Sequence, residues 1–403
     1  MLAVDEALAR ITAAFQPQPS EWVHLAAAHG RVLAEDLVAA RDQPPQAVSA
    51  MDGYAVRAAD LAGGSAELRL VGQAPAGGRF EGTLGPGETV RIFTGGALPA
   101  GGDAVALQEN AIVQADRVRL EGRVEAGTFV RPAGLDFRKG ALALPAGCRL
   151  SARDLGLAAA LNRAWLPVRR RPRIALLATG DELVMPGQAL AATQIVNSNT
   201  VALAAMVETW GGLPSDLGVA PDDPAALAAC TDQMVGMDLV VTLGGASVGE
   251  RDLVRSVLGE RGLELDFWQV AMRPGKPLMF GAIQGVRLLG LPGNPVSAGV
   301  CAVLFVRAVI ATLLGLDPVP PEVPAVLGRA LGPNDRRQEY LRASAAWGPD
   351  GRLVATAAER QDSSMLATFA RADCLIVRAP FAPAMAEGAS VTVLPLRQGP
   401  IGV

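Results

Sequence analysis

Lysine and histidine are almost missing from this chain of 403 residues. Only Lys139, Lys276, His24 and His29 occur, and the other 34 of its 36 basic side chains are arginine. Both histidines fall in the N-terminal forty residues, with no Ser/His/Asp or Cys/His arrangement around them. They read as structural, and histidine general-base chemistry is disfavoured. Cysteine is equally sparse: Cys148, Cys230, Cys301 and Cys374 lie far apart and none forms a CxxC pair. That spacing fits neither a zinc site nor a dense disulfide framework and points to a reducing compartment. Aromatics are few, at 10 Phe, 5 Trp and 2 Tyr. No sign of charge dominates, since 36 basic and 40 acidic residues leave a net charge of −4. With half the residues apolar, this balance argues against disorder and against a nucleic-acid binder. A membrane-length apolar run is lacking as well. The stretch 300–316 contains Arg307 and is shorter than the ~20 apolar residues of a membrane span, so it is expected to be a buried helix. The first residues, Met1-Leu2-Ala3-Val4-Asp5-Glu6, are acidic where a signal peptide would be basic. A cytoplasmic protein is expected.

Glycine and proline are abundant, at 45 and 29 residues, and they punctuate several textures. Residues 1–40 read as helical, with Val4, Leu8, Ile11 and Phe15 on one face, and end near Pro44-Pro45. Residues 41–133 read as a β-rich insert of short apolar runs between Gly/Pro turns, such as Thr89-Val90-Arg91-Ile92-Phe93. A helical pattern returns over 150–166, and the basic run Arg169-Arg170-Arg171-Pro172-Arg173 reads as a solvated boundary. Three buried parallel strands are then expected at 174–178, 239–243 and 286–291, with helices near 198–210, 224–235, 251–261 and 296–315 between and after them. That alternation predicts a doubly wound α/β domain. After Asp317-Pro318-Val319-Pro320-Pro321 short strands resume, giving a β-rich C-terminal domain.

Several strand-end segments suit an anionic ligand. Gly244-Gly245-Ala246-Ser247-Val248-Gly249 follows a strand and opens a helix, so its backbone can approach a phosphate, although an ordinary tight turn has the same look. It is neither a Walker loop nor GxGxxG. Thr179-Gly180-Asp181-Glu182 ends another strand, where carboxylates beside a phosphate make sense if Mg²⁺ bridges them. They could equally be acids that complement a helix dipole. Arg273-Pro274-Gly275-Lys276-Pro277 presents two cations from a rigid loop. Leu291-Pro292-Gly293-Asn294-Pro295-Val296-Ser297 runs from strand through a rigid turn into a helix. Taken locally, Asp52 before Gly53 and Thr94 before Gly95 look like turn residues.

Together with Ser49-Ala50-Met51-Asp52-Gly53-Tyr54-Ala55 and Asn197-Ser198-Asn199, these segments resemble the molybdopterin molybdenumtransferase family, the MoeA proteins and the E-domain of gephyrin. Their order and spacing cover nearly the whole chain. The resemblance implies four domains: a discontinuous N-terminal domain of 1–40 plus 134–170, the insert 41–133, the α/β molybdopterin-binding domain 171–318, and a β-barrel-like domain 319–403. It implies a homodimer with a shared active site. The reaction implied is insertion of molybdate into adenylated molybdopterin with Mg²⁺-dependent release of AMP, forming molybdenum cofactor. Transient contact with the molybdopterin adenylyltransferase and with cofactor acceptors is implied too. By motif, Asp52, Glu182, Asp252 and Lys276 would be catalytic, and Asp52, Thr94, Glu182 and Asp252 would hold Mg²⁺. Thr179, Asp223, Gly244, Gly245, Ser247, Gly249, Pro292, Asn294, Pro295 and Ser297 would bind the pterin nucleotide. Arg273, Lys276, Pro277, Arg342 and Ser363 would bind molybdate.

The sequence departs from the family pattern in places. Gln46-Ala47-Val48 stands where Phe-Asp-Asn is frequent, and Ala246 where valine is common. Arg273 stands where lysine is frequent, which keeps the charge but changes its geometry. Asp362 stands where glycine is common, placing an acid beside Ser363. A gephyrin-like scaffold role is disfavoured because the chain carries no fused trimerising domain. A nucleotide hydrolase like the CinA proteins is disfavoured by the Met51–Tyr54 and Arg273–Pro277 segments.

Overall fold

The structure, a computed structural model, describes residues 1–221, 223, 229–230, 233–244, 259 and 262–396. Two compact units are present. One comprises Glu35–Cys148 and Arg153–Ala164, and the other comprises the remaining chain. Of the predicted helices, 224–235 and 251–261 fall largely outside the described residues.

The smaller unit is β-rich, as its punctuated apolar runs predict. Six strands, β1 (Gly53–Val56), β2 (Ser65–Ala74), β3 (Glu88–Ile92), β4 (Ala104–Leu107), β5 (Ala111–Gln114) and β6 (Arg117–Glu121), form one sheet in the order β4-β1-β3-β2-β6-β5. In β6 the alternation is strict: Val118 and Leu120 are buried and their neighbours exposed. Strand β1 is buried along its whole length. Tyr54 and Val56 join a core with Leu68, Val118 and Leu120, while Ala55 joins another with Val90, Ile92 and Val105.

The larger unit is built on a six-stranded mixed sheet. Its strands are β7 (Arg173–Thr179), β8 (Leu213–Ala220), β9 (Leu239–Leu243), β10 (Glu264–Gln269), β12 (Pro277–Ile283) and β13 (Val286–Leu291), with β11 (Met272–Arg273) lying between β10 and β12 in the chain. The order is β8-β7-β9-β13-β12-β10. The first four are mutually parallel, as expected for three of them, and β12 and β10 continue the sheet antiparallel. The continuous apolar runs follow from burial on both faces. Ile174, Leu176, Val241 and Leu289 enter one core, and Ala175, Leu177, Val240 and Leu288 the other. The first core is covered by α1 (Val4–Ala13), α3 (Ser198–Trp210) and a long helix, α4 (Pro295–Leu314); α2 is Ala152–Ala160.

Helix α4 is 20 residues long and apolar enough to cross a membrane, so the shortness of the apolar run at 300–316 does not settle its role. Burial does: 89% of its most apolar window is packed inside the fold. The C-terminal strands β14 (Val323–Leu327), β15 (Gln338–Trp347), β16 (Leu353–Ala357), β17 (Cys374–Arg378) and β18 (Ser390–Pro395) run in the order β15-β16-β14-β18-β17. Strand β17 pairs back onto β15, closing the sheet, and β11 adds parallel to β15. Closure leaves no open edge on these five strands.

Two helical expectations are corrected. Helix α1 ends at Ala13, ahead of Pro17 and Pro19, and Ser20–His24 is a strand paired with Trp165–Arg169. Trp165 therefore starts a strand and does not end α2, which stops at Ala160. The prolines break the helical period, and the two short segments satisfy each other's backbone groups. His24 stacks edge-on against Trp165 at 5.4 Å and accepts a hydrogen bond from Ala26 N, a structural role as expected.

Candidate active site

In the smaller unit, Asp52 and Thr94 meet directly, which their local context did not suggest. Asp52 Oδ1 accepts hydrogen bonds from the Thr94 backbone N–H and its hydroxyl, both at 2.8 Å. The backbone bond first, then the hydroxyl, with the Arg91 charge adding, hold the Asp52 carboxyl below its ordinary value. It is a half-buried carboxylate with an oxygen left to bind a ligand. Gly53 and Gly95 set this geometry. A Cβ on Gly53 would lie 2.0 Å from the carbonyl oxygen of Ala106, and Gly95 adopts φ +80°. Arg91 lies over the rings of Tyr54 and Phe93 and donates to Gly53 O at 3.0 Å.

In the larger unit, expected nucleotide-binding residues sit at the C-terminal ends of all four parallel strands. Thr179 ends β7, Asp223 follows β8, Gly244 follows β9 and Pro292 follows β13. Three of these ends touch. Gly244 N donates to Leu291 O at 3.2 Å. A Cβ on Gly244 would lie 2.9 Å from Thr179 O, and one on Gly293 would lie 3.7 Å from Gly244 Cα. This is the crevice where open α/β sheets bind ligands. Gly180 adopts φ +138°, and a Cβ there would meet the Glu182 carboxylate at 2.5 Å, so glycine lets Glu182 fold back over the strand end. Asn199 donates to Gly293 O at 2.7 Å, and Asn294 donates to Ser363 Oγ at 3.1 Å. Ser297 is buried in the first turn of α4 behind Pro295, a residue suited to a helix start. Gly245, Ser247, Gly249 and Asp252 lie outside the described residues.

The proposed molybdate cations occupy a third part, also in the larger unit. Gly275 adopts φ +104°, and a Cβ there would lie 2.5 Å from Cys301 Sγ, so the Arg273–Pro277 loop rests directly on α4. Arg342 is 1% exposed and donates to Asp362 O at 3.1 Å, and its Nε has no partner among the described residues. A cavity of about 260 Å³ is lined by Arg273, Pro274, Glu339, Arg342 and Gln361 among others. Asp362 interacts electrostatically with Arg342, one of this cavity's cations, but its side-chain bonds go to Ser364. Its Oδ1 is taken by Ser364, through the hydroxyl at 2.6 Å and the N–H at 2.8 Å, and these bonds hold its carboxyl below the ordinary value.

One cluster escaped the sequence reading. Arg273 is ion-paired with buried Glu339 and lies 3.4 Å from both Asp335 and Asn334. Arg337 pairs with Asp335 at 2.6 Å, and buried Arg378 reaches Glu339 at 3.4 Å. Asn334-Asp335-Arg336-Arg337 is visible as a charged turn, but nothing local connects it to residue 273. Arg337, through its side chain and then its backbone N–H, holds Asp335 down to about 2, from an ordinary 3.8. A depressed carboxyl contributes stability that is present above its unfolded value and lost as pH falls through the folded one, here between about 4 and 2. Arg337→Gln should move the Asp335 midpoint up toward 3.8 in a carboxyl-carbon NMR titration, and an unmoved midpoint would refute this account.

Among the described residues no group of three or more His, Cys, Asp or Glu side chains could hold a metal. A large cavity of about 860 Å³ lies between α3, α4 and the helix Leu366–Arg371. It is lined mostly by apolar side chains and contains none of the expected carboxylates or cations.

Three family models match the chain: "MoeA N-terminal region (domain I and II)" over residues 2–162, "Probable molybdopterin binding domain" over 175–312, and "MoeA C-terminal region (domain IV)" over 324–396. The molybdopterin molybdenumtransferase of Nostoc sp. is 41% identical over 307 residues, covering 74% of this chain and 70% of that protein. The molybdopterin molybdenumtransferase of Haemophilus influenzae is 33% identical over 403 residues, covering 98% of each. The crystal structure of a molybdopterin biosynthesis MoeA protein from Pyrococcus horikoshii superposes with a TM-score of 0.86 at 30% identity, covering 99% of this chain and all of that one.

Proposed function

The chain belongs to the MoeA family of molybdopterin molybdenumtransferases, and from that premise we propose that it inserts molybdate into adenylated molybdopterin and releases AMP. The observation that carries this reading is end-to-end similarity to a protein of that name, 98% of each chain, together with the strand-end crevice of Thr179, Gly244 and Gly293. Residues at these ends, with Asp223, Asn294, Pro295 and Ser297, would bind the pterin nucleotide, with backbone amides toward its phosphates. Arg273, Lys276, Pro277, Arg342 and Ser363 would receive molybdate. Gly245, Ser247, Gly249 and Asp252 complete the proposal on sequence alone.

Asp52 and Glu182 are hard carboxylate oxygen ligands, and Thr94 holds the Asp52 carboxyl below its ordinary value. Mg²⁺ is held by one or two carboxylates plus substrate phosphates, so each of these carboxylates, taken in its own unit, fits it without a protein-only cage. Bound there, Mg²⁺ would offset the phosphate charge of the pterin nucleotide. Thr94 keeps the Asp52 carboxylate oriented, and Gly180 keeps Glu182 close to the backbone. The proposal extends to a homodimer in the cytoplasm that takes the adenylated pterin from its adenylyltransferase and passes cofactor to acceptor proteins. It also includes four domains, with boundaries at 1–40 plus 134–170, 41–133, 171–318 and 319–403.

Purified protein given adenylated molybdopterin, molybdate and Mg²⁺ should release AMP and yield cofactor that reconstitutes a molybdoenzyme. Absence of AMP release under those conditions would sink the enzymatic reading. Glu182→Ala should blunt the Mg²⁺ dependence of that release, and an unchanged Mg²⁺ titration would remove Glu182 from the metal site.

A further inference from the structure

Asn197 and Asn199 belong to none of the expected ligand-binding sets, yet they touch the segments that carry them. On one side is Glu182. The short strands Leu183–Val184 and Ile195–Val196 pair in parallel. Their flanks are tied at 2.8 Å, where Ile195 N donates to Glu182 O and Asn197 N donates to Val184 O. Asn197 is 2% exposed and is the N-cap of α3. Its Oδ1 accepts from the Thr200 N–H at 3.3 Å and from the Thr200 hydroxyl at 3.1 Å, so the helix start is fixed to the strand that follows Glu182. On the other side is the turn at Gly293. Asn199 Nδ2 donates to Gly293 O at 2.7 Å. Beyond it, Asn294 Nδ2 donates to Ser363 Oγ at 3.1 Å, and Val296 N donates to Ser363 O at 3.0 Å. Pro292 and Pro295 supply no N–H, so this turn has few donors of its own and depends on bonds from outside it. Packing does not replace them, because Gly293 faces Gly244 with no side chain between the two backbones. All of these residues lie in the larger unit.

We propose that Asn199 is a positioning residue for the nucleotide crevice, and that Asn294 carries its hold onward to Ser363. One hydrogen-bonded brace then runs from the Glu182 segment through the start of α3 and the Gly293 turn to the C-terminal sheet's Ser363 loop. This rests on the reading that the adenylated pterin binds at these strand ends. Asn199 acts through Gly293 O and not on the ligand. Its amide group is the part that matters, since the bond to a carbonyl oxygen needs a donor. Asn197 has the different task of starting the helix that presents Asn199. Because the brace is continuous, a loss at Ser363 is felt at the Gly293 turn and a loss at Asn199 is felt at Ser363. Binding free energies coupled in this way are reciprocal.

The test is calorimetric titration of the full-length protein with adenylated molybdopterin, beside thermal melts and steady-state AMP release. Asn199→Ala should raise the Kd and KM for the adenylated pterin about 2- to 12-fold, the range of one neutral hydrogen bond, with kcat changed by less than about twofold. Its melting temperature should stay at the wild-type value, because alanine is a good helix former. Asn199→Asp keeps the size and removes the donor, so it should bind no better than Asn199→Ala, whereas Asn199→Gln keeps the amide and should recover part of the loss. Asn197→Ala should instead lower the melting temperature, as loss of a helix cap does. Ser363→Ala should also weaken binding of the adenylated pterin, and the double variant Asn199→Ala with Ser363→Ala should lose less than the sum of the two. A wild-type Kd in Asn199→Ala, or in Asn199→Asp, overturns the positioning role. Additive losses in the double variant overturn the continuous brace. Wild-type protein that binds the pterin and releases AMP while the variants give these failures leaves the enzymatic reading standing. Wild-type protein that neither binds it nor releases AMP brings both down.

Discussion

Lys276→Ala should lower kcat/KM for molybdate by about 10- to 150-fold while leaving the affinity for the adenylated pterin within about twofold. The range follows from a hydrogen bond to a charged group, worth about 1.5–3 kcal/mol, at 1.4 kcal/mol per tenfold. Three structural facts make the loss specific. Prolines 274 and 277 flank the loop, and Gly275 lets it sit on Cys301 of α4, so the backbone does not depend on the lysine side chain. The ammonium has no protein partner among the described residues, so truncating it leaves no buried acid unpaired. The crevice at Thr179, Gly244 and Gly293 makes none of its described contacts through Lys276. Steady-state kinetics with molybdate varied, beside calorimetry with the pterin nucleotide, separates the two effects. Equal losses in both would remove the oxyanion role.

Gly53→Val should destabilise the β-rich unit by about 3 kcal/mol or more, at the upper end of overpacking costs. Strand β1 lies between β4 and β3 and is fully buried. A Cβ at position 53 would stand 2.0 Å from the Ala106 carbonyl oxygen and 3.2 Å from Val105 Cγ1. The first obstacle is backbone within the β1–β4 pairing, where Gly53 lies opposite Leu107 and Tyr54 opposite Ala106. No rotamer change can move it, so the strands must separate. Asp52, the preceding residue, would lose its register with Thr94. Chemical denaturation followed by fluorescence would register the loss, and a midpoint within error of wild type would contradict the close packing. Gly95→Ala would test the neighbouring turn, because φ +80° strains any L side chain.

The legibility of these features in the sequence follows their range. Parallel strands at 174–178, 239–243 and 286–291 were readable because a strand buried on both faces is a continuous apolar run. The helix at 198–210 follows Asn197, which caps it through an Oδ1 that accepts from Thr200. The antiparallel strands β10 and β12 were not readable, since Glu264–Gln269 mixes buried and exposed positions without clean alternation. Ser20–His24 gives no local sign of being a strand because its partner, Trp165–Arg169, is more than 140 residues away in the chain. The same holds for chemistry. Rigid loops at 179–182, 273–277 and 291–297 could be picked out as ligand-facing. The commitment of Arg273 to Glu339 could not, because side chains 66 residues apart carry no local sign of contact.

By itself, then, the sequence determined the textures: a β-rich insert, an α/β sheet with ligand loops at its strand ends, a β-rich end, and a family membership spread over motifs that are each modest. Local backbone preference and apolar periodicity carry that information, and both are written in consecutive residues. Only the tertiary structure decided which charges are free. It placed Thr94 on Asp52, turned Asp362 onto Ser364, closed the C-terminal strands, and paired Arg273 with Glu339, while Lys276 has no partner among the described residues. The physical reason is that a side chain's charge is worth what its neighbours leave of it, and those neighbours are set by packing between distant segments. The lysine scarcity shows both sides: composition singled out Lys276, and only the fold showed that its ammonium has no partner among the described residues.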